Sequence, residues 1–295
     1  MFPASFDYVR ASSLAEAVAL LEQYGDEARP LAGGQSLIPL MKLRLANPTV
    51  LVDLNPVPGL DYVRESAEWL QIGALARHVD VELSDSIRDR LPIVHDAASV
   101  VGDMQVRNLG TVVGAIAEAD PGGDWGPVAL ALGGEVACVG PDGDRTIPLT
   151  DFFADYYTTA LRPAELIREL RLRMPLDGAG GAYLKLERRV GDFAVVGVAV
   201  QLAISQNGGP NGTCQEIGIG LAGVGATPFK ATAAEAILRG STLDDAAIAE
   251  AVRAIETEID PATDVRAPAE YRRDMAGVYF RRALERALAR ARQAG

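Results

Sequence analysis

A break in the sequence between residues 174 and 181 constrains the fold more than any other feature. The break reads Met-Pro-Leu-Asp-Gly-Ala-Gly-Gly, and its proline and glycines oppose the continuation of a helix or a strand. The segments that follow, AYLKLE, AVVGVAVQLAIS and CQEIGIGLAG, are typical of antiparallel strands, and helical patterns come after them. A chain of 295 residues is long enough for about two domains. We therefore predict an N-terminal domain of residues 1–175 and a C-terminal α+β domain of residues 176–295.

The N-terminal domain is itself predicted to have two parts. Ser13 and Glu16 have the spacing of a capping box, so a helix is expected from about Ala15 to Tyr24. TVLVDL then has the composition of a buried strand and completes a small unit of about residues 1–57. From residue 58 to 175, a hairpin pattern (DYVRESAEWLQIGAL) precedes helices, a glycine-containing loop and the strand patterns EVACVG, DRTIPL and ELIRELRLR. The predicted fold class is α+β.

Residues 30–37 read PLAGGQSL and join a predicted strand to the helix that begins SLIPLMKL. The adjacent glycines Gly33 and Gly34 allow torsions closed to other residues and let backbone amides approach a ligand. Ser36 is expected to cap the helix, and amides at a helix N-terminus favour an anion. Taken alone, the segment also fits a plain strand-to-helix turn.

A second glycine segment, QVRNLGTVVGAIAEADPGGD, covers residues 105–124. Gly110 and Gly114 bracket Thr111, whose hydroxyl is able to reach a phosphate oxygen. A tightly packed turn, strand and turn is the alternative interpretation. The chain has neither a Walker lysine nor a Rossmann helix at these glycines, so the two segments together indicate a diphosphate-containing cofactor held between two subdomains.

The segment Gly218-Ile-Gly-Leu-Ala-Gly223 formally satisfies the dinucleotide-binding fingerprint. That fingerprint requires a helix that opens within the glycines, whereas the helical pattern here resumes only near Ala231. We expect a strand followed by a wide turn.

The composition opposes several classes of function. A net charge of -12 disfavours binding to nucleic acid or to an anionic membrane surface. The start of the chain lacks a signal-peptide pattern, and no run approaches the roughly 18 apolar residues of a membrane span, so a cytoplasmic protein is expected. Cys138 and Cys214 have no metal-binding spacing, so no metal or iron–sulfur cluster is expected in this chain. His78 and His95 are expected to be packed or surface residues.

Several blocks, in order along nearly the whole chain, resemble a known family. They are PLAGGQSLIPLMKLRLANPTVLVDLN, RNLGTVVGAIAEADPGGD, LRPAELI, YLKLERRVGDFAVVGVAV and AEYRRDMAGVYFRRAL. The chain thereby resembles the FAD-binding medium subunit of molybdenum hydroxylases of the carbon monoxide dehydrogenase and xanthine dehydrogenase type. It is similar, more loosely, to the vanillyl-alcohol-oxidase class of flavoproteins. The resemblance implies a two-part FAD-binding domain of that class, followed by a C-terminal α+β domain with an antiparallel sheet plus helices.

The resemblance also implies which residues would contact FAD. The first glycine segment would hold the pyrophosphate, with Ser36 adding a hydroxyl. The second glycine segment would hold the other side of the phosphates and the ribityl chain. Asp124 would accept hydrogen bonds from the ribose on the adenosine side. Leu161 would form an apolar wall beside the isoalloxazine, where Lys185 would be a cation that stabilises the reduced anionic flavin. No catalytic residue is implied, and the cofactor-binding residues would be Leu31, Ala32, Gly33, Gly34, Gln35, Ser36, Leu37, Thr111, Gly114, Ala115, Asp124, Leu161 and Lys185.

The sequence departs from the family within the second glycine segment. The usual Thr-Val-Gly-Gly-Asn block and the Ala-His-Ala-Asp stretch after it are changed to TVVGA and AEAD. We expect Val113 to resist a positive φ, Ala115 to lack a side-chain donor and Glu118 to add negative charge near a phosphate. Because the first glycine segment and Lys185 are retained, FAD binding is still expected, with altered affinity or a shifted adenosine half.

By resemblance, the chain is expected to be the FAD-carrying electron-transfer subunit of a three-part hydroxylase. A large subunit would carry a molybdopterin cofactor, a small subunit would carry [2Fe-2S] clusters, and this chain would pass electrons from the clusters to an external acceptor. A dimer of heterotrimers is the expected assembly. Two alternatives stay open, a flavin-free structural or interaction subunit of the same kind of complex and a self-sufficient flavin oxidase. The sequence of this chain does not identify the substrate or the acceptor.

Overall fold

A computed structural model describes residues 2–205 and 212–294 of the chain. Its first part is composed of β1 (Asp7–Arg10), α1 (Leu14–Tyr24), β2 (Ala28–Leu31), α2 (Leu37–Lys42) and β3 (Val50–Asp53). The three strands form a parallel sheet in the order β1-β3-β2, and the central strand is buried along its whole length. The Ser13 hydroxyl accepts the Glu16 N–H at the start of α1, which confirms the predicted cap.

The second part follows a longer path of strands and short helices. Its elements are β4 (Val63–Glu65), β5 (Trp69–Gly73), α3 (His78–Glu82), α4 (Asp85–Arg90), α5 (Pro92–Val100), α6 (Met104–Leu109), α7 (Val112–Glu118), α8 (Trp125–Ala131), β6 (Glu135–Gly140), β7 (Gly143–Pro148), β8 (Phe153–Asp155), β9 (Thr158–Thr159) and β10 (Leu166–Arg173). An antiparallel sheet has the order β4-β5-β10-β6-β7. The predicted hairpin is β4–β5, and the three later strand patterns are β6, β7 and β10, so these predictions are confirmed.

The second glycine segment differs from the loop that we predicted. It contains α6 and α7 in place of a turn, strand and turn. The Asp103 side chain accepts the Val106 N–H at the start of α6, and Thr111 caps α7 in the same way. Val113 lies in the first turn of α7 with its side chain buried, and it is not among the residues with positive φ. The strain expected from Val113 therefore does not arise, because a β-branched residue fits the helical backbone at this position.

The third part is a sheet covered by helices. It is composed of β11 (Ala179–Leu186), β12 (Val196–Ser205), β13 (Thr213–Ala222), β14 (Phe229–Lys230), α9 (Thr232–Leu238), α10 (Asp245–Glu258) and α11 (Ala269–Ala294). The strands pair antiparallel in the order β11-β12-β13-β14, as predicted for the three long strands. One hydrophobic core is built from residues of the first two parts with Tyr183 and Ala199, and a second core is built from the third part.

The apparent dinucleotide fingerprint lies on β13, and no helix follows until Thr232. A Cβ on Gly218 would lie 1.9 Å from the carbonyl oxygen of Ala131, and one on Gly220 would lie 2.0 Å from that of Pro127. These glycines are therefore needed because α8 packs its backbone directly against the strand. The expectation of a strand in place of a Rossmann site is confirmed.

Membrane insertion requires a long apolar helix. Among the helices of the described ranges, none is both long enough and apolar enough to cross a membrane.

Candidate cofactor-binding site

The first glycine segment turns sharply from β2 into α2. Gly34 has a φ of +70°, and a Cβ there would lie 3.1 Å from Ile38 Cγ1 and 3.2 Å from Leu31 Cδ1. Ser36 does not cap α2 as predicted, because it has helical torsions and its hydroxyl donates to Glu118 Oε2. Backbone torsion, in place of a side-chain cap, shapes this end of α2.

The turn leaves a row of backbone donors without protein partners. Within the described part of the chain, the amide N–H groups of residues 33–36 make no hydrogen bond to a protein acceptor. The first backbone bond of the helix joins the Ile38 N–H to the Gly34 carbonyl at 3.0 Å. Consecutive amide donors at the start of a helix fit phosphate oxygens. The segment is therefore chemically suited to a pyrophosphate.

Thr111 and Gly114 organise the start of the second helix, α7. The Thr111 Oγ1 atom accepts the Gly114 N–H at 3.1 Å, and a Cβ on Gly114 would lie 2.5 Å from that oxygen. Glycine is therefore needed for this cap. Ala115 is half-buried and packs against the N-terminal core, and the amides of Thr111 and Val113 have no protein acceptor in the described ranges.

The structure brings the two glycine segments into backbone contact. A Cβ on Gly33 would lie 2.3 Å from the Leu109 carbonyl oxygen and 2.7 Å from Gly110 Cα. Distances this short exclude any side chain at Gly33 while the two segments stay in place. The unpaired amides of both segments consequently lie on neighbouring backbone.

Arg77 and Asn55 link the two segments, and sequence reasoning missed both residues. Arg77 donates through Nη1 to the Leu109 carbonyl and through Nη2 to Asn55 Oδ1 at 2.6 Å. Asn55 Nδ2 in turn donates to the Ala32 carbonyl at 2.9 Å. A cleft of about 410 Å³ opens beside this link and is lined in part by Asn55 and Arg77. The only sequence signal was the position of Asn55 just after a buried parallel strand, where ligand-site residues are common.

Glu118 lies against the first glycine segment. Its half-buried carboxylate accepts the Ser36 hydroxyl proton. Burial raises the pKa of Glu118, the neighbouring Asp120 raises it further, and the Ser36 hydrogen bond lowers it. The carboxyl group thus has an increased tendency to hold a proton beside the unpaired amides.

Asp124 and Lys185 belong to a buried polar network. The Tyr183 hydroxyl donates to Asp124 Oδ1 at 2.7 Å, and Lys185 Nζ donates to Asp124 Oδ2 at 3.2 Å and to the Val100 carbonyl at 3.0 Å. Glu187 Oε2 lies 3.4 Å from the same Nζ. Burial raises the pKa of Asp124 to about 6, and the Lys185 charge opposes this rise.

The contact between Asp124 and Lys185 bears on the roles that the resemblance implied. We assigned Asp124 to the adenosine side and Lys185 to the isoalloxazine, which are opposite ends of an extended FAD. The two groups are 3.2 Å apart, so we expect them to face the same part of the cofactor, and their separate roles stay predictions. The sequence could not reveal this contact, because it depends on how α8 packs against the C-terminal sheet.

Leu161 lies apart from this ion pair in sequence and in local structure. It follows β9, packs half-buried against the N-terminal core, and donates its N–H to Thr159 Oγ1 at 3.3 Å. Its role as an apolar wall stays a prediction.

His78 is a packed residue, one of the two expectations for it. The Trp125 Nε1–H donates to His78 Nδ1 at 3.0 Å, and the two ring planes are nearly parallel, 13° apart, with their centroids 5.9 Å apart. Nδ1 is an acceptor, so a neutral ring carries its proton on Nε2. Burial, together with the charges of Arg107 and Arg77, lowers the pKa of His78 from 6.5 to about 4.

We expect His78 to make the protein less stable in acid. The unfolded chain binds the histidine proton near pH 6.5 and the folded chain only near pH 4, so stability present above pH 6.5 is lost as the pH falls through this window. The loss amounts to about 3 kcal/mol. In His78→Asn, whose side-chain oxygen still accepts the Trp125 N–H, most of this loss should disappear. Urea unfolding of both proteins from pH 7 to pH 4 tests the prediction, and equal pH dependence in the two would contradict it.

Two family comparisons match most of the chain. Residues 4–175 match the family described as "FAD binding domain in molybdopterin dehydrogenase". Residues 181–287 match the family described as "CO dehydrogenase flavoprotein C-terminal domain".

Individual relatives match over nearly their whole length. The carbon monoxide dehydrogenase medium chain of Afipia carboxidovorans is 44% identical over 292 residues, which cover 99% of this chain and 100% of the relative. The glyceraldehyde dehydrogenase medium chain of Sulfolobus acidocaldarius is 37% identical and covers 97% of this chain and 99% of the relative. A solved structure of reconstituted CO dehydrogenase from Oligotropha carboxidovorans superimposes with a TM-score of 0.94 at 43% identity, over 98% of this chain and 100% of the solved chain.

Proposed function

This chain belongs to the family of FAD-binding medium subunits of molybdenum hydroxylases of the carbon monoxide dehydrogenase type, and on this premise we propose that it passes electrons from the iron–sulfur clusters of a partner subunit to an external acceptor. The chain is an oxidoreductase subunit, and FAD is its cofactor. The molybdopterin cofactor and the [2Fe-2S] clusters belong to partner subunits. The observation that most supports the proposal is the pair of facing backbone segments with unpaired amides.

The residues present fit FAD, which supplies the redox chemistry when it is bound. The amides of residues 33–36, with those of Thr111 and Val113, are available to phosphate oxygens. The Thr111 O–H is a further donor, because its oxygen accepts the Gly114 N–H. The task of this chain is to bind and orient the cofactor. Leu31, Ala32, Leu37, Leu161, Asp124 and Lys185 stay proposed as site residues, with Asp124 and Lys185, which are in contact, at the same part of FAD.

The chain is the medium subunit of a multi-subunit enzyme with a large and a small partner. We further propose a dimer of heterotrimers in the cytoplasm. We also propose a division into residues 1–175 and 176–295, with subdomains of about 1–57 and 58–175. Two hydrophobic cores support the domain division, because the first is built from residues before 175 with only Tyr183 and Ala199 added, and the second from residues after 175.

Electron transfer through this chain is tested in the purified three-subunit complex. The clusters are reduced with dithionite, and their reoxidation by an added dye acceptor is followed by stopped-flow absorption. Complexes are compared with FAD present, with FAD removed, and with FAD restored. We expect removal of FAD to slow reoxidation at least about tenfold and its return to restore the rate, a barrier change of about 1.4 kcal/mol or more. Equal rates in all three would contradict an electron-transfer role.

A flavin-free interaction subunit is the second candidate, and one observation favours it. Glu118 adds a carboxylate beside the segment proposed to hold the pyrophosphate, and like charges repel. An absorption spectrum of the purified complex separates the two functions. Oxidised-flavin bands, together with one FAD per chain by extraction, support the electron-transfer subunit, and their absence supports the interaction subunit.

We expect the Arg77 link to affect cofactor affinity. In Arg77→Met, the Leu109 carbonyl and Asn55 lose their charged donor, so the two glycine segments lose one of the links between them and keep the Ser36–Glu118 hydrogen bond. Hydrogen bonds from a charged group contribute about 1.5–3 kcal/mol each, and we expect FAD to bind about ten- to a hundredfold more weakly. Fluorescence titration of the flavin-free chain measures this. Arg88→Met, which removes an exposed arginine, is the control, and an Arg77→Met affinity equal to that of the control would contradict the link.

A further inference from the structure

We propose that Glu118 is a proton-accepting residue of the cofactor site, and that its carboxylate takes up one proton from solvent when the pyrophosphate of FAD binds to residues 33–36. This inference rests on the proposed function, because it requires FAD at that segment. It goes beyond the proposed function by assigning an ionisation change to a named side chain.

The geometry places the carboxylate at the point of binding. Glu118 ends α7, and its Oε2 accepts the hydroxyl proton of Ser36. Ser36 belongs to the row of residues whose amides lack protein partners. A phosphate at these amides therefore lies beside a half-buried carboxyl group that is already hydrogen-bonded to the same segment.

The surroundings of Glu118 supply no compensating cation. In the part of the chain that the structure describes, none of the ion pairs includes Glu118. Asp120 adds a second carboxylate from the segment after α7, and Tyr157, from the turn between β8 and β9, donates its hydroxyl to Asp120 at 3.2 Å. Arg266 acts electrostatically on Tyr157. The charge nearest to Glu118 is therefore negative before any cofactor binds.

Binding of FAD adds the two negative charges of the pyrophosphate to this environment. Nearby negative charges and partial burial both favour the protonated form of a carboxyl group. The proton comes from solvent and forms an O–H bond on one Glu118 oxygen, and the other oxygen continues to accept from Ser36. The neutral acid then has a donor that is able to face a phosphate oxygen. Glu118 thus changes from a repelling group to a hydrogen-bond donor.

Proton uptake makes the affinity for FAD dependent on pH. By linkage, a binding step that takes up a proton is favoured as the pH falls, by up to about tenfold in Kd per pH unit. The affinity for FAD varies with pH between the pKa of Glu118 in the flavin-free chain and its higher pKa in the complex with FAD. Above that window, the affinity should level off at its weakest value.

Calorimetric titration of the flavin-free full-length chain with FAD tests the proposal. Titrations in two buffers of different ionisation enthalpy, repeated from about pH 5.5 to about pH 8.5, count the protons taken up. We expect the wild type to take up close to one proton per FAD at some pH in this range. In Glu118→Gln, whose side-chain oxygen still accepts from Ser36, we expect no uptake and a Kd independent of pH.

Two further variants identify the group that is protonated. Ser36→Ala removes the hydrogen bond but leaves the carboxyl, so proton uptake should persist. Asp120→Asn removes the neighbouring carboxylate, and uptake should again persist. Abolished uptake in Asp120→Asn, or FAD binding by the wild type without proton uptake at any pH, would overturn the proposal. The wild-type measurement is decisive even if a variant fails to fold. Absence of FAD binding at every pH would instead refute the proposed function itself.

Discussion

A chain carrying Gly34→Val is expected to purify with less than about a tenth of the wild-type flavin content while keeping its fold. Gly34 has a φ of +70°, a conformation that a β-branched residue adopts at a cost of about 1–3 kcal/mol. The added side chain also meets Ile38 and Leu31, which lie 3.1 Å and 3.2 Å from an ideal Cβ. Relief of this strain rotates the peptide units whose amides are available to phosphate. Because about 1.4 kcal/mol changes an equilibrium tenfold, a modest shift of these amides is enough to release FAD.

Two matched variants separate the site from general backbone strain. Gly240→Val places the same residue at a φ of +81° where nothing lies within 4 Å of a Cβ, so it should cost similar stability but keep flavin. Gly33→Ala adds a single methyl group against the Leu109 carbonyl and should release flavin by forcing the two segments apart. For all three variants, we measure the flavin content after gel filtration and, separately, the thermal unfolding. Full FAD retention by the Gly34→Val chain would show that this segment does not hold the cofactor.

Local sequence patterns predicted most of the fold because the information lies within short segments. The capping pair of Ser13 and Glu16 and the hairpin pattern in residues 61–75 need only neighbouring residues, and both were confirmed. The helices α6 and α7 were missed although Asp103 and Thr111 are good N-cap residues. Gly114 within α7, and Gly102 and Gly110 on either side of α6, argue against helix by propensity, and the caps with tertiary packing outweigh that penalty.

The candidate site was predicted as two segments but not as a connected arrangement. Its glycines were visible because a positive φ and close backbone contact select that residue type. The contacts of Arg77 with Leu109 and of Asp124 with Lys185 join residues distant in sequence. Such contacts depend on how whole helices and strands pack together, and no short sequence motif predicts them. For this reason the sequence did not show that Asp124 and Lys185 are in contact with each other.

Replacement of Lys185 by methionine is expected to lower the free energy of unfolding by about 3–5 kcal/mol, the usual penalty for leaving one partner of a buried ion pair alone. The Lys185 side chain is 3% exposed and the Asp124 side chain 6%, so water does not screen the remaining carboxylate. Burial already raises the pKa of Asp124 to about 6, and loss of the cation raises it further. The double variant Lys185→Met with Asp124→Asn should recover part of the loss, because a neutral amide still accepts the Tyr183 hydroxyl.

The same pair limits what Lys185 does to the flavin. A lone cation beside the isoalloxazine would favour the reduced anion, but this lysine is paired with a carboxylate, so its field at a distance is that of a dipole. In Lys185→Met, protonation of Asp124 offsets the loss of the cation, so the net charge of the network, Glu187 included, is unchanged. We therefore expect the two-electron midpoint to fall by no more than about 30 mV, equivalent to about 1.4 kcal/mol. Redox titration measures the midpoint and urea unfolding measures the stability. A large potential shift with unchanged stability would mean that Lys185 acts on the flavin as an unpaired charge, contrary to the ion pair with Asp124.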